Sequence, residues 1–261
     1  MISLEASETK IITLITDFGY KDPFVGQMKG VILSINPDVR IVDITHNITS
    51  HDIEEAAFVL FESFQYFPEG SIHMVIVDPG VGSKRRALIV SADGHYFIAP
   101  DNGLLSYIIK DRAFKAFCLE NERYILKKES PTFQGRDVFA PASAWLSKGV
   151  PVHDFGNEVI DPIVLDTLTT RLDKSRIIGK IVYIDKFGNA ITNIKVKAEK
   201  IKKVKVKQLI LPVVSCYAHS ENNPAALINS NGFIEIFIYK NNAAQLLNLK
   251  RDDTVEVLLN G

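Results

Sequence analysis

The fold class predicted by this 261-residue sequence is an α/β N-terminal part with a largely parallel sheet, followed by a C-terminal all-β, barrel-like part. Three observations carry that reading. Through roughly the first 150 residues, continuous apolar runs alternate with stretches of helical periodicity, and buried parallel strands read as such runs. Past residue 165 or so the helical periodicity stops, and short strand-like runs separated by turn-rich segments take over. Hydrophobic residues at 46% and charged ones at 23% suit a globular chain long enough for a sizeable core.

The elements follow in order. "IITLIT" (11–16) predicts a strand ending at Asp17, and "QMKGVILSIN" before Pro37 a short helix. "RIVDIT" (40–45) predicts a strand ending beside His46. Ile53, Ala57, Leu60, Phe61 and Phe64 repeat at helical spacing and predict a helix over 52–67. Thr49 with Asp52 fits a capping box, and Pro68-Glu69-Gly70 stops the helix. "IHMVIV" (72–77) ends at Asp78 and "HYFIAP" (95–100) at Asp101. Strand and helix in alternation predict a parallel sheet within an N-terminal domain over 10–165. The polar stretch "LTTRLDKSR" marks a linker over 166–177. The runs "IIGKIVYI", "AITNIKV", "VKVKQLILPVV", "FIEIFIY" and "TVEVLL" then build a β-barrel or sandwich over 178–261.

Several functions are disfavoured. A net charge of −1 gives no general attraction to nucleic acid or anionic membrane. Seven lysines between 195 and 207 lack interleaved aromatics and read as the wet face of a strand that discourages edge-to-edge pairing. Cys118 and Cys216 are far apart and are expected as buried free thiols. "MISLEASETK" is polar and acidic rather than a secretory signal, and no apolar run nears the roughly 20 residues of a membrane helix, so the cytoplasm is expected. The six histidines show no metal-ligand spacing, His46 and His51 being a weak pair, and no metal is expected. "DPGVGSKRR" fits neither phosphate-binding fingerprint, and the two "DFG" triplets stand outside any kinase context.

Ligand sites in open parallel sheets lie beyond the carboxyl ends of the strands. Asp17, Asp78 and Asp101 all stand there, each followed by a glycine within two residues, and are expected to converge on a polar pocket. Asp78 and Arg85, seven apart across a glycine turn, form a candidate carboxylate–guanidinium unit. "PTFQGRDVFAP" (131–141) holds Gln134, which cannot titrate, and Arg136 with Asp137, expected as an ion pair and helix cap.

Taken together and in this order, "TDFG", "VDPGVG…RR", "APDNG", "TFQGRD.FAP" and "DKFGNAITN" closely resemble the S-adenosyl-L-methionine (SAM) hydroxide adenosyltransferases, water-using relatives of the fluorinase and chlorinase. The resemblance runs from about residue 11 to the C-terminus. It implies an α/β domain, a β-barrel domain and a homotrimer with sites at subunit interfaces. It also implies displacement of methionine from ribose C5′ by water or hydroxide, giving adenosine, with SAM as substrate and no cofactor. By the resemblance, Asp17 holds the ribose hydroxyls with both carboxylate oxygens, and Asp185 meets the substrate ammonium. Asn189 bonds the adenine with Phe187 beside it, while Asn242 and the backbone of Ala243 contact the same ring. Phe133 packs near the reacting carbon, and Gly135 resembles the glycine at the chlorinase halide site, leaving open space there.

The family's water-activating unit is Asp-Arg-His. Asp78 and Arg85 match it, but Gln134 occupies the histidine position. A sulfonium leaving group needs no acid, so alignment and desolvation of the nucleophile dominate the task. Gln134 can align a water by accepting from it and donating to it; the proton would pass to Asp78. The alternatives are a non-catalytic SAM or adenosine binder and a chlorinase-type halogenase. Against the second, the halogenases carry an uncharged tyrosine at the Asp78 position; a carboxylate about 4 Å from a halide repels it by roughly 4 kcal/mol at an effective dielectric near 20. They also carry an insertion for which "SADGHYFIAPDNG" is too short.

Overall fold

The apolar runs of the N-terminal part become β1 (Ile11–Thr16), β2 (Arg40–Thr45), β3 (Ile72–Ile76), β4 (Ala87–Ala92), β5 (His95–Pro100) and β6 (Phe114–Cys118). They form one sheet in the order β2-β1-β3-β5-β4-β6. The computed structural model describes residues 10–127, 131–166 and 169–260. Pairings among β2, β1, β3 and β5 are parallel, whereas β4 pairs antiparallel with both β5 and β6. β4 and β6 were not expected from the apolar runs. β4 joins β5 through Asp93 and Gly94 at φ 49° and 76°, the left-handed pair that a tight two-residue hairpin requires.

Among the described residues, four α-helices belong to this part: α1 (Phe24–Ile35), α2 (Ile53–Ser63), α3 (Ser106–Ile109) and α4 (Ala140–Ser147). Met28 and Ile32 of α1 and Phe139, Ala142 and Ala144 in and before α4 are buried with Ile12, Leu14, Met74 and Ile76 of the sheet. Alanine and serine dominate the sequence of α4, "APASAWLS", so its backbone lies close to the sheet. α2 starts three residues later than the capping box predicted. Asp52 Oδ1 accepts from Glu55 N–H at 2.9 Å, and Glu55 Oε2 accepts from Thr49 N–H at 3.2 Å. Asp52 is thus the N-cap, while Glu55 reaches past it to Thr49 and the Asp52 N–H donates to Thr49 O at 2.9 Å, so the box is not reciprocal.

The chain divides into two compact units, Met1–Leu165 and Asp166–Gly261. The second contains β7 (Arg171–Asp173), β8 (Arg176–Ile184), β9 (Ala190–Lys195), β10 (Ile201–Val206), β11 (Leu209–Leu211), β12 (Pro224–Ile228), β13 (Phe233–Ile238), β14 (Thr254–Leu259) and a short helix, α5 (Ala243–Leu246). The sheet order is β11-β10-β14-β8-β9-β13-β12, with β7 on β8 and every pairing antiparallel. A bridge between Val213 and Ala226 draws the two ends of that order together into a nearly closed barrel. Ile181, Ile194, Val204, Ile236, Val255 and Val257 fill its interior.

Three expectations change. The stretch read as a linker forms β7 and the start of β8, joined by Lys174 at φ 54°; residues 167 and 168 lie outside the described residues, as does the N-terminal segment 1–9. The lysine-rich strand β10 has a wet face, yet it is no edge, because β11 and β14 flank it. Its Lys205 pairs with Glu256 at 3.3 Å. Both cysteines are free, but Cys118 is half-buried and Cys216 exposed. Among the described residues, no helix is long and apolar enough to cross a membrane.

Candidate active site

β1 connects through α1 to β2 on one side, and β2 connects through α2 to β3 on the other. The winding therefore reverses at β1, and a crevice opens beyond the carboxyl ends of β1 and β3. A pocket of about 540 Å³ lies there, lined by Asp17 after β1, Asp78 after β3, and Thr132, Phe133, Gln134 and Gly135. Ser50 and His51 form part of its wall. This volume is in the range of small-molecule sites.

Tight turns fold Arg85 back onto Asp78: Val81 N–H donates to Asp78 O at 3.2 Å, and Ser83 N–H to Gly80 O at 3.0 Å. Arg85 Nε then donates to Asp78 Oδ1 and Oδ2 at 2.9 and 3.0 Å, and Nη2 also reaches Oδ2. The side chains are 9% and 6% exposed, so this is a buried pair and not a surface salt bridge. Arg85 Nη2 donates to Gln134 Oε1 at 2.8 Å. Arginine can only donate, so the amide oxygen must face it. The amide NH2 is left as the donor Gln134 offers elsewhere, which narrows the expected role of accepting from a water as well as donating to it. The guanidinium also lies 5.4 Å from the Phe139 ring centroid.

Phe139 and Gln134 are placed by one turn of wide helix. Residues Gly135–Phe139 wind as a π-helix that runs into α4, and Ala140 N–H donates back to Gly135 O. Such turns recur at functional sites because they insert a residue without ending the helix. Asp137 lies within this turn and pairs with Arg136 at 2.6 Å, but caps nothing, in contrast to expectation. Gly135 is not open space either: a Cβ there would stand 3.0 Å from Met28 Sδ and from the Phe133 ring. It is a close-approach glycine whose backbone forms the pocket floor.

Phe133 is one corner of an aromatic cluster, with Phe18 and Phe24 at centroid distances of 6.0 and 5.2 Å. Phe18, though it lies within "TDFG", Phe24, and His51, weighed only as half of a weak metal pair, were not expected in the pocket. Asp17 Oδ2 accepts from His51 N–H at 2.9 Å, which occupies one of the carboxylate positions expected to serve ribose. Asp101 does not join the pocket. It is 4% exposed and is held by Arg86 at 2.6 Å and by Ile163 N–H at 2.8 Å. Among the described residues no three His, Cys, Asp or Glu side chains cluster in a way that could hold a metal.

The second unit has its own groove, about 710 Å³, lined by Asp185, Phe187, Asn189, Tyr217, Asn242 and Gln245 among others. Asp185 organises the "DKFGN" turn: Oδ1 accepts from Phe187 N–H at 2.9 Å and Asn189 N–H at 2.8 Å, and Oδ2 from Asn189 Nδ2 at 3.1 Å. That leaves Asn189 Oδ1 as an acceptor and Phe187 74% exposed. Asn242 caps α5, its Oδ1 accepting from Gln245 N–H at 2.8 Å, and Ala243 is the buried first residue of that helix. Ala244 N–H donates to Gly188 O at 2.8 Å, tying the helix to the turn. Tyr217 was also missed. Its phenol donates to the buried Glu235 at 2.7 Å, and burial, reinforced by that carboxylate, raises its pKa.

Comparison with known proteins places these features in a family. Residues 12–156 match the SAM hydroxide adenosyltransferase N-terminal domain, and residues 179–256 the C-terminal domain. The chain belongs to the SAM hydroxide adenosyltransferase family. A relative from Methanocaldococcus jannaschii, named (R)-S-adenosyl-L-methionine hydrolase, is 36% identical over 95% of this chain and 95% of its own length. A Thermus thermophilus protein of the same name is 36% identical over 95% and 99%. A fluorinase from an Actinoplanes species is 30% identical over 97% and 99%. Among solved structures, a conserved protein from Thermotoga maritima superposes with a TM-score of 0.87 at 32% identity, covering 95% of this chain and 99% of that one. Within the SAM hydroxide adenosyltransferase frame, the expected residues fall into two sets. Asp17, Asp78, Phe133, Gln134 and Gly135 line the first pocket, with Arg85 behind it, and Asp185, Phe187, Asn189 and Asn242 line the second.

Proposed function

We infer that this chain hydrolyses S-adenosyl-L-methionine to adenosine and L-methionine, by in-line attack of water or hydroxide at ribose C5′. The observation that carries the reading is the buried Asp78–Arg85 pair hydrogen-bonded to Gln134, with Asp78, Gln134 and Asp17 lining one pocket, in a chain 36% identical to hydrolases of this substrate. Those relatives are named for the (R) sulfonium form, and the same epimer is assigned to this chain.

The chemistry follows from what each group can do. Methionine leaves as a neutral thioether, so the site needs no general acid. A water in the pocket donates to Asp78 and accepts from the Gln134 NH2, which leaves a lone pair to face C5′. Arg85 fixes both partners and keeps Gln134 turned with its donor outward. Asp17 takes ribose hydroxyls on the lone pairs that His51 N–H leaves free. Asn189 Oδ1 suits the exocyclic amine of adenine, and Asp185 Oδ2 has one remaining position for an ammonium. The reaction uses no cofactor, and the homotrimer implied by the family belongs to the same reading.

The test is incubation of the purified protein with the (R) and (S) epimers separately, in buffer with and without chloride, followed by chromatography. Adenosine and methionine from the (R) epimer are expected, with chloride making no difference. A chlorinated nucleoside would overturn hydrolysis in favour of halogenation. Tight binding with no product after long incubation would make the chain a binder. Light scattering measures the trimer.

A further inference from the structure

Next to Asp17, a line of polar side chains runs from β2 to β1. Phe18 N–H donates to Thr16 Oγ1 at 3.2 Å, Thr16 Oγ1 meets His46 Nδ1 at 2.8 Å, and His46 Nε2 stands 3.2 Å from Asp43 Oδ1. Thr16 and His46 are fully buried. A carboxylate only accepts, so the His46 ring proton is assigned to Nε2, which faces Asp43 in a close polar contact rather than an aligned hydrogen bond. Nδ1 is then the bare nitrogen and takes the Thr16 hydroxyl hydrogen, while a Thr16 lone pair receives Phe18 N–H. Burial lowers the histidine's pKa and so favours this neutral form. Asp43 is in turn held by Lys29 at 2.6 Å and the Tyr20 hydroxyl at 3.0 Å.

The main chain repeats the connection. Gly19 N–H donates to His46 O at 2.8 Å, Ile48 N–H to Thr16 O at 3.4 Å, and His51 N–H to Asp17 Oδ2 at 2.9 Å. The segments 16–19 and 46–51 are thus bolted together at several points, with the His46 imidazole bridging them from within.

We propose that His46 is a positioning residue for the substrate pocket: through Thr16 it fixes the Asp17–Phe18 corner, and Asp43 sets the tautomer that lets it do so. The proposal rests on the reading of this pocket as the ribose site. Asp17 grips ribose equally in ground and transition state, so loosening that corner removes uniform binding and raises KM more than it lowers kcat.

The test compares Thr16→Val, which keeps shape and loses the hydroxyl, with Thr16→Ser, which keeps the hydroxyl. Hydrogen exchange at the Phe18 amide is read without substrate, and KM and kcat for the SAM epimer that is turned over are read beside it. Thr16→Val is expected to speed Phe18 exchange and raise KM roughly tenfold each, with kcat changed by less than about threefold. Thr16→Ser stays near wild type. His46→Asn, whose amide oxygen replaces Nδ1 as acceptor, is expected to retain far more of the wild-type KM than His46→Gln, and this pair decides the matter where Thr16→Val does not fold. Phe18 exchange that is unchanged in Thr16→Val and His46→Gln, or a KM equally raised in the conservative and disruptive variants, overturns the positioning role. A wild-type protein that forms no adenosine refutes the hydrolase reading alone, because exchange at Phe18 is measured independently of turnover.

Discussion

Replacing Arg85 by methionine leaves the Asp78 carboxylate, 6% exposed, with every guanidinium donor gone. An uncompensated buried charge of that kind costs about 3–5 kcal/mol. Gln134 Oε1 also loses its partner, but the amide can turn towards the pocket and adds at most about 1 kcal/mol. Arg85→Met is therefore expected to destabilise the N-terminal unit by about 4 kcal/mol, near a thousandfold in its folding constant. Asp78→Leu should cost less, about 2–3 kcal/mol, because the guanidinium keeps Gln134 at 2.8 Å, Arg86 O at 3.2 Å and the Phe139 ring. The double variant removes both charges and should lie within about 1–2 kcal/mol of wild type, far below the sum of the singles. Urea unfolding followed by fluorescence measures this directly, since the chain's single tryptophan, Trp145, lies in α4 of this unit. Singles that each cost under about 1 kcal/mol and simply add in the double would refute a buried, mutually dependent pair, and would instead describe a solvated one.

Burial first, and then the neighbouring His95, lowers the pKa of His73 to about 3, and burial also lowers that of His95; the two rings meet at 3.2 Å. The unfolded chain protonates these rings near pH 6.5, so their stabilisation is complete above that pH and is lost as pH falls towards 3; for His73 alone the slope is about 1.4 kcal/mol per pH unit. Urea unfolding at pH 6.5 and 5 should differ by about 2 kcal/mol from this source, a difference that His73→Asn should largely remove. Gly188 has φ 84° and a Cβ there would overlap the Asn242 side chain, whereas Gly232 at φ 85° has nothing within 4 Å. Gly232→Ala should therefore show only the backbone strain of about 1 kcal/mol, while Gly188→Ala also uncaps α5, doubles that loss in thermal unfolding and weakens adenosine binding in calorimetry. Gln134→His should raise turnover roughly tenfold or more, with a new acid limb in the pH–rate profile, since a positioned proton acceptor contributes roughly 10²–10⁴; a rate unchanged or lower at every pH would show that proton acceptance at this position does not limit the reaction.

What the sequence disclosed tracks how local the determining physics was. β1, β3 and β5 are continuous apolar runs because both faces are covered, and Asp17 and Asp78 were found because they terminate such runs. β4 was passed over even though "ADGH" holds an Asp-Gly hairpin signal, since a strand inserted antiparallel breaks the alternation being followed. Asp101 ends its strand as Asp17 and Asp78 do and yet stays out of the pocket, for a reason no local pattern contains. Arg85 turns back to Asp78 while its neighbour Arg86 reaches Asp101 and Asp161, so two adjacent arginines sort two similar carboxylates into different roles.

The same limit explains the rest of the site. Phe24, His51 and Tyr217 join their pockets through contacts with distant residues, and the bridge from Asp43 through His46 to Thr16 spans the 30 positions between Thr16 and His46. Gln134 marks the boundary most clearly. Its identity was legible as a departure from the family's histidine, but which end of its amide faces the pocket was not; that follows only from Arg85, 49 residues away, which can donate and never accept.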